Sequence, residues 1–308
     1  MSQPSLAVSL GRQRPVKLNN PIIAASGTFG YGLEYREQMD FQALGGLVTK
    51  GVSLKPRAGN PPPRICETAA GMLNAIGLAN VGLEVFLRDK LPALRPWGVP
   101  VMVNLYGESL EEFVELARAL DAAPGVAALE LNVSCPNVSQ GGMAFGCHPG
   151  SVGEITAAVR AATNLPLWVK LTPNVADPVP MALAAQAAGA DAVCLINTLL
   201  GMAIDAKRRR PCLGNVVGGL SGPAIKPVGL RMVWQVARAV EIPVVGMGGI
   251  VSGTDAAEYL LAGASAVQVG TANFLDPEAC LKVARGLESF CREQCIDDVN
   301  QLVGDLQT

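Results

Sequence analysis

The sequence predicts an α/β protein built on a closed (β/α)8 TIM barrel, with an N-terminal hairpin before it and an extended loop insertion after its second strand. Eight short runs rich in Val, Ile, Leu and Ala recur along the chain, and segments of helical periodicity separate them. Alternating strands and helices of this kind, in 308 residues, fit one such barrel, so a single domain spanning 1–308 is expected.

The eight apolar runs are continuous rather than alternating, which is typical of parallel strands that are covered on both faces. They occupy residues 21–27, 45–51, 99–107, 126–136, 165–173, 188–198, 242–250 and 264–271. A doubly wound open sheet is the alternative, and it predicts a G-x-G-x-x-G fingerprint after the first strand. The segment "ASGTFGYG" (25–32) lacks that spacing, which favours the barrel.

Capping residues mark three of the helices between the strands. Segments 109–120 and 151–162 each begin with Ser and have Glu three residues later, the signature of a capping box. Segment 276–290 begins with Asp and Pro. Residues 6–21 are expected to form a hairpin that closes the floor of the barrel. Residues 53–80 are too long for a simple connection, and insertions of that size commonly carry function.

Composition excludes several classes of protein. The chain is 50% hydrophobic and 16% charged with a net charge of −2, the balance of a soluble globular protein that has no nucleic-acid footprint. The one basic run, 207–210, is interpreted as a solvated loop. We find neither a signal peptide nor an apolar stretch long enough to span a bilayer, so no membrane association and a cytoplasmic location are expected.

The cysteines predict neither a disulfide scaffold nor a metal site. Most of the eight lie in apolar contexts, where Cys behaves as a small hydrophobic residue. The chain has a single histidine, His148, and its only closely spaced cysteines are Cys291 and Cys295, one helical turn apart and expected to pack. No metal is therefore expected.

Polar residues gather at the carboxyl ends of the predicted strands, where the active site of such a barrel lies. Lys50 and Lys170 end the runs "LVTKG" and "WVKLTP", and Asn104, Asn132 and Asn197 lie at matching depth in three other strands. A lone lysine at a strand end is commonly a snorkelling side chain. Two lysines and three amides together predict one polar site.

The last two strand ends are rich in glycine, "VVGMGGI" (244–250) and "VQVGTANF" (267–274). Bare backbone N–H groups after the seventh and eighth strands of a barrel commonly bind phosphate. Amide and lysine donors around a phosphate-anchored group suit flavin mononucleotide (FMN). A sugar-phosphate isomerase, or an aldolase with a Schiff-base lysine, is the alternative within enzymes.

The fourth predicted strand ends unusually, in "ELNVSCPN" (130–137). It delivers Asn132, Ser134 and Cys135 before Pro136, which ends a strand. Either Cys135 is an inert thiol, as most structural cysteines are, or the strand presents a reactive group at its tip.

Taken together, these motifs resemble the catalytic subunits of the class 1 dihydroorotate dehydrogenases. The resemblance covers nearly the whole chain in order, and its specific part is "NVSCPN" together with "NAIGL". The motifs are "VTKG", "NAIGLAN" (74–80), "ELNVSCPN", "WVKLTPN" (168–174), "INTLLGMAID" (196–205), "GGLSGPAIKP" (218–227), "GMGGI" and "VGT". Ala79 and Val81 depart from the Gln and Pro expected there, but they flank the pocket.

The resemblance implies a role for each matching residue. Cys135 falls at the position of the catalytic base. The expected substrate-binding residues are Lys50, Asn74, Ala75, Ile76, Gly77, Leu78, Asn132, Asn197 and Thr198. The expected FMN-binding residues are Ser26, Lys50, Gly51, Asn104, Asn132, Lys170, Ile196, Gly222, Gly248, Gly249, Gly270 and Thr271.

The implied reaction is oxidation of dihydroorotate to orotate in de novo pyrimidine (UMP) biosynthesis. Flavin N5 accepts the C6 hydride on one face of the substrate ring, so a base must remove the C5 proton from the other face. Cys135, placed in a loop after the fourth strand, suits that task.

The electron acceptor is expected to lie outside this chain. The cysteine spacing matches no four-Cys iron–sulfur motif. "NAIGLAN" and "INTLLGMAID" look closer to class 1B, which implies a homodimer flanked by two partner subunits that carry FAD and [2Fe–2S] and pass electrons to NAD⁺. The alternatives are a fumarate-dependent class 1A enzyme, a reductase of the dihydropyrimidine dehydrogenase type, and a non-catalytic barrel used as a scaffold.

Overall fold

The computed structural model describes residues 3–11, 13–134 and 146–307. Within them the strands are β1 (Val8–Leu10), β2 (Val16–Leu18), β3 (Ile22–Ala24), β4 (Gly46–Val48), β5 (Ile65–Thr68), β6 (Gly71–Asn74), β7 (Val101–Leu105), β8 (Ala128–Asn132), β9 (Leu167–Lys170), β10 (Ala192–Leu195), β11 (Leu199–Met202), β12 (Ile204–Asp205), β13 (Arg210–Pro211), β14 (Val217–Ser221), β15 (Val244–Met247) and β16 (Ala266–Val269).

The same part of the chain contains α-helices that separate most of the strands. They are α1 (Gly82–Val85), α2 (Leu91–Leu94), α3 (Leu110–Asp121), α4 (Pro149–Ala162), α5 (Val179–Ala187), α6 (Lys226–Ala237), α7 (Gly253–Leu261) and α8 (Ala279–Glu293). A π-helical turn, Phe86–Lys90, joins α1 to α2.

Eight parallel strands close into a barrel in the order β10-β15-β16-β3-β4-β7-β8-β9. Each was predicted from its apolar run, and every residue of the longest two, β7 and β8, is buried. The predicted (β/α)8 barrel is therefore confirmed. The strands are shorter than the runs because several runs continue past the last paired residue, as 126–136 does beyond β8.

The helix starts agree only in part with the sequence prediction. Ser109 caps α3 by accepting the N–H of Glu112 at 3.3 Å, but the Glu112 carboxylate accepts from Glu108 instead of completing the box. The cap predicted at Ser151 is wrong, since α4 already begins at Pro149, whose fixed φ favours the first helical position. The helix predicted from residue 276 begins at Ala279.

The N-terminal hairpin is confirmed. Strands β1 and β2 pair antiparallel, with Val8 opposite Leu18. Their alternate residues Val8, Leu10, Val16 and Leu18 are buried in the same core as the barrel strands. The period of two therefore turns one face of the hairpin toward the barrel.

The insertion after β4 is more ordered than a loop. Strands β5 and β6 within it join β14 and β11 in a four-stranded antiparallel sheet of order β11-β14-β6-β5. Strands β11 and β14 follow β10, so two excursions from the carboxyl end of the barrel meet in one sheet. That sheet puts residues 74–78 at the rim of the barrel.

The cysteines of the described residues are all free. Cys194, Cys280 and Cys291 are buried, whereas Cys295 is exposed, so only Cys291 of the pair Cys291 and Cys295 packs in the core.

Among the described residues no three His, Cys, Asp or Glu side chains are grouped as a metal site requires. No helix described here has the length and apolarity needed to cross a bilayer.

Candidate active site

Two adjacent cavities open at the carboxyl end of the barrel. The first is lined by Ser26, Gly27, Lys50, Gly51, Asn74, Ile76, Gly77, Leu78, Asn104, Asn132, Lys170, Asn197 and Thr198. The second is lined by Ala25, Ser26, Thr28, Lys170, Ile196, Asn197, Thr198, Ser221, Gly222, Ile225, Met247, Gly248, Gly249, Gln268, Gly270 and Thr271. Ser26, Lys170, Asn197 and Thr198 line both, so the cavities form one continuous site.

The structure brings nearly all the sequence-predicted residues to these two cavities. Of the expected substrate-binding residues only Ala75 lines neither; it is 1% exposed, and its N–H donates to the carbonyl of Arg64. The expected FMN-binding residues divide between the first cavity and the glycine-rich second cavity. Cys135 lies outside the described residues, directly after Ser134.

The rim segment 74–78 is pinned by the insertion itself. Asn60 donates its side-chain amide to the carbonyl of Ala75 and its backbone N–H to the carbonyl of Ile76, each at 3.0 Å. Gly77 has φ 72°, and a Cβ there would lie 2.6 Å from Asn60 Cγ. Only glycine therefore fits this turn, which brings Leu78 to the cavity.

Lys50 contributes a partly buried cation to the first cavity. Its backbone N–H donates to the carbonyl of Gly30 at 2.8 Å, which fixes where its side chain starts. Burial is the main cause that lowers the pKa of Lys50; the Arg64 charge acts in the same direction, and the Glu34 charge opposes both. The Lys50 ammonium is thus less solvated than a surface lysine, which strengthens its attraction to an anion.

Three side chains at the ends of β8 and β10 hold each other in place. Asn197 Nδ2 donates to Ser134 Oγ at 2.8 Å, and that hydroxyl donates to Asn132 Oδ1 at 2.9 Å. Thr198 donates its backbone N–H to Asn197 Oδ1. The two amides therefore face the cavity in fixed orientations, so little side-chain entropy remains to be lost when a ligand binds.

A buried carboxylate lies behind the site and was missed by the sequence analysis. Glu130, on β8, is 0% exposed. It accepts hydrogen bonds from Asn104 Nδ2 at 2.7 Å and Gln268 Nε2 at 2.6 Å, and Lys170 Nζ is 3.8 Å away. A signal was present, because a glutamate inside the run "VAALELNV" must be paired if it is buried.

Glycines in the second cavity allow a ligand to approach the backbone closely. Gly222 has φ 94°, and a Cβ there would lie 2.7 Å from the Cα of Gly71. A Cβ on Gly249 would meet the Gly222 carbonyl at 2.8 Å. Bare N–H groups and the paired hydroxyls of Ser221 and Thr271, 2.8 Å apart, suit an anionic group. Ser221 was not assigned from the sequence.

The second cavity also contains an acceptor that has no partner among the described residues, the buried Oε1 of Gln268. Buried polar atoms are normally hydrogen-bonded, so this oxygen is available to a hydroxyl of a ligand. The cavity thus combines donors for an anion with an acceptor for a hydroxyl. That donor and acceptor set fits the phosphate and sugar-alcohol chain of FMN.

Comparison with known proteins identifies one family. The dihydroorotate dehydrogenase family model matches residues 13–291. The catalytic subunit of dihydroorotate dehydrogenase B (NAD(+)) from Geotalea uraniireducens is 58% identical over 308 residues, 100% of both chains. The subunits of the same name from Geotalea daltonii and Trichlorobacter lovleyi are 57% and 58% identical and are covered over 100% and 99% of their lengths.

The family model covers most of the chain, and the relatives are similar over its full length. The chain belongs to the dihydroorotate dehydrogenase family and is an oxidoreductase.

Proposed function

We propose that this chain is the FMN-dependent catalytic subunit of an NAD⁺-linked dihydroorotate dehydrogenase and that it oxidises dihydroorotate to orotate in de novo pyrimidine (UMP) biosynthesis. One observation carries the proposal. A cavity lined by amides and lysines adjoins a cavity lined by glycines and hydroxyls, and they share Ser26, Lys170, Asn197 and Thr198. A planar ring system with a phosphate tail, facing a small polar substrate, fits that shape.

In this proposal residues 1–308 are one FMN-binding domain. Gly222, Gly248, Gly249, Gly270 and Thr271 hold the phosphate end, as backbone N–H groups in a glycine-lined cavity can. Lys170, Asn104 and Asn132 hold the ring end. FMN, when bound, supplies the acceptor for the C6 hydride.

The substrate groups are proposed to be bound by the first cavity. Asn74, Asn132 and Asn197 present amides that match the alternating donors and acceptors of a pyrimidine ring. Lys50, which lines the same cavity, is proposed to attract the substrate carboxylate. The fixed amides of Asn132 and Asn197 orient the substrate ring. Holding the reacting groups in this way lowers the activation barrier of the oxidation.

Cys135 is proposed to take the C5 proton on its Sγ. It directly follows Ser134 in the sequence, and the Ser134 hydroxyl is hydrogen-bonded to the side chains of Asn132 and Asn197, two residues proposed to bind the substrate. A thiolate has a pKa nearer neutrality than any hydroxyl, which suits a general base.

The proposed function predicts that purified protein is yellow and that dihydroorotate bleaches its flavin under anaerobic conditions. Dihydrouracil, which lacks the carboxylate, should bleach it poorly because Lys50 then has no anion to bind. The measurement is the visible absorbance spectrum during anaerobic titration with each compound. Bleaching by dihydrouracil alone would favour a dihydropyrimidine dehydrogenase-type reductase, and colourless protein would contradict FMN binding.

A partner subunit is proposed to carry the electrons onward. The matched relatives are named catalytic subunits of NAD(+)-type enzymes. We propose a cytoplasmic homodimer flanked by two subunits that carry FAD and [2Fe–2S].

The purified chain alone should therefore reduce artificial dyes with dihydroorotate but should not reduce NAD⁺, and it should reduce fumarate only slowly. Steady-state assays with the three acceptors measure this. Rapid fumarate reduction would indicate a class 1A enzyme and leave the flavin chemistry unaffected.

A further inference from the structure

We propose that Glu130 is a positioning residue: a carboxylate buried below the site that holds Lys170, Ser26 and Asn104 and lowers the reduction potential of the bound flavin. The inference rests on the proposed function, since the group whose potential it sets is FMN. Glu130 itself lines neither cavity, so it acts through the residues that do.

The first support is a hydrogen bond that crosses the barrel. Glu130 lies on β8 and Gln268 on β16, which are four places apart in the closed order of eight strands and therefore face each other. Gln268 Nε2 donates to Glu130 Oε2 at 2.6 Å. The interior of such a barrel is usually filled by branched apolar side chains. A charged group at its centre therefore needs a separate explanation.

The second support is the set of groups around the other oxygen. Glu130 Oε1 accepts from Asn104 Nδ2 at 2.7 Å and from Ser26 Oγ at 3.4 Å. The Ser26 hydroxyl in turn accepts from Lys170 Nζ at 3.1 Å. The neighbours of Glu130 thus present two amide N–H groups, a hydroxyl and, at 3.8 Å, an ammonium, a set of donors that suits a carboxylate.

The Cys194 thiol lies close to Gln268 and Glu130 inside the barrel. Gln268 Nε2 is 3.9 Å from Cys194 Sγ. Burial, followed by the negative charge of Glu130, raises the pKa of Cys194 well above its usual value, so this thiol stays neutral. Among the described residues, the charged groups at the centre of the barrel are then one carboxylate and one ammonium, Glu130 and Lys170, 3.8 Å apart.

A buried ion pair is poor evidence of stabilisation, because removing both charges from water offsets their attraction. The ion pair does, however, change the electrostatic potential that a bound flavin experiences. Lys170 is 5% exposed and lines both cavities, so its charge reaches a ligand through a medium of low polarity. Glu130 cancels part of that positive potential. The additional negative charge of a reduced flavin is therefore stabilised less than Lys170 alone would stabilise it.

The test is the midpoint potential of the FMN-loaded protein. Glu130→Gln removes the charge and keeps the shape, so we expect it to favour the reduced flavin at least tenfold over the oxidised form. For a two-electron couple that ratio is a shift of about +30 mV. Lys170→Met should shift the potential in the opposite direction. Glu154→Gln, an exposed carboxylate on α4, is the matched control and should leave the potential unchanged.

A second comparison keeps the inference testable if Glu130→Gln fails to fold with Lys170 unpaired. The double variant Glu130→Gln/Lys170→Met buries no charge at this point, and its potential should be higher than that of Lys170→Met alone. A purely structural role would lower the melting temperature of these variants without moving the potential. Unchanged potentials in both comparisons, in protein that dihydroorotate still bleaches, overturn the inference alone. Wild-type protein without flavin overturns the proposed function, and the inference with it.

Discussion

Cys135→Ala is expected to lower dihydroorotate oxidation by about 10²–10⁴-fold while FMN stays bound, since that is the usual contribution of a general base. The residues that line the two cavities are unchanged in this variant, so the flavin spectrum should remain. Stopped-flow measurement of flavin bleaching by dihydroorotate isolates the affected step. Rates close to wild type near neutral pH would remove Cys135 from the mechanism.

Cys135→Ser supplies the second half of this test. A hydroxyl gives up its proton far less readily than a thiol, so the remaining activity should appear only at high pH. Cys295→Ala, at an exposed thiol, is the control for loss of a cysteine. Other thiols are poor candidates for the base: burial raises the pKa of Cys280 to about 12, which keeps it protonated.

Lys170→Ala is expected to produce the second largest effect. It removes the cation shared by both cavities, and loss of one electrostatic stabiliser commonly costs about 10²–10³-fold in rate. It also leaves the Glu130 carboxylate buried without its charge partner, which costs about 3–5 kcal/mol of folding stability. The measurements are FMN content, the rate of flavin reduction and the melting temperature. Lys17→Ala, at an exposed lysine on β2, should change none of them.

The Asn197→Ala variant tests whether the residues that bind the substrate are distinct from those that bind the cofactor. It removes a hydrogen bond proposed for dihydroorotate, worth about 1–3 kcal/mol, so it should chiefly raise KM and keep FMN bound. Loss of FMN from Asn197→Ala to the same extent as from Lys170→Ala would contradict that division.

Features that depend on short stretches of chain could be predicted from the sequence. The eight barrel strands follow from continuous apolar runs, and a hairpin was expected in residues 6–21, before the first of them. The helix start at Ser109 also follows from a local signal. The start predicted at Ser151 does not, because Pro149 offers a better first helical residue two positions earlier. A capping residue contributes only about 0.5–2 kcal/mol, so a neighbouring signal can shift where a helix begins.

Part of the site could be predicted for a different reason. The carboxyl ends of parallel strands must meet at one end of a barrel, so Lys50, Asn104, Lys170 and Asn197 were expected together once the strands were assigned. The positions near Asn74 came from the resemblance to a family, since an insertion of that length has no periodicity that fixes where it folds.

Contacts between residues that lie far apart in the sequence could not be predicted from short stretches of chain. The four-stranded sheet combines segments from two different excursions, with Leu73 opposite Leu220. Glu130 and Gln268 are 138 positions apart, and their hydrogen bond exists only because the barrel closes and places β8 opposite β16. Hydrophobic periodicity reports whether a residue is buried, whereas the choice of a buried charge's partner depends on the closed geometry of the whole sheet.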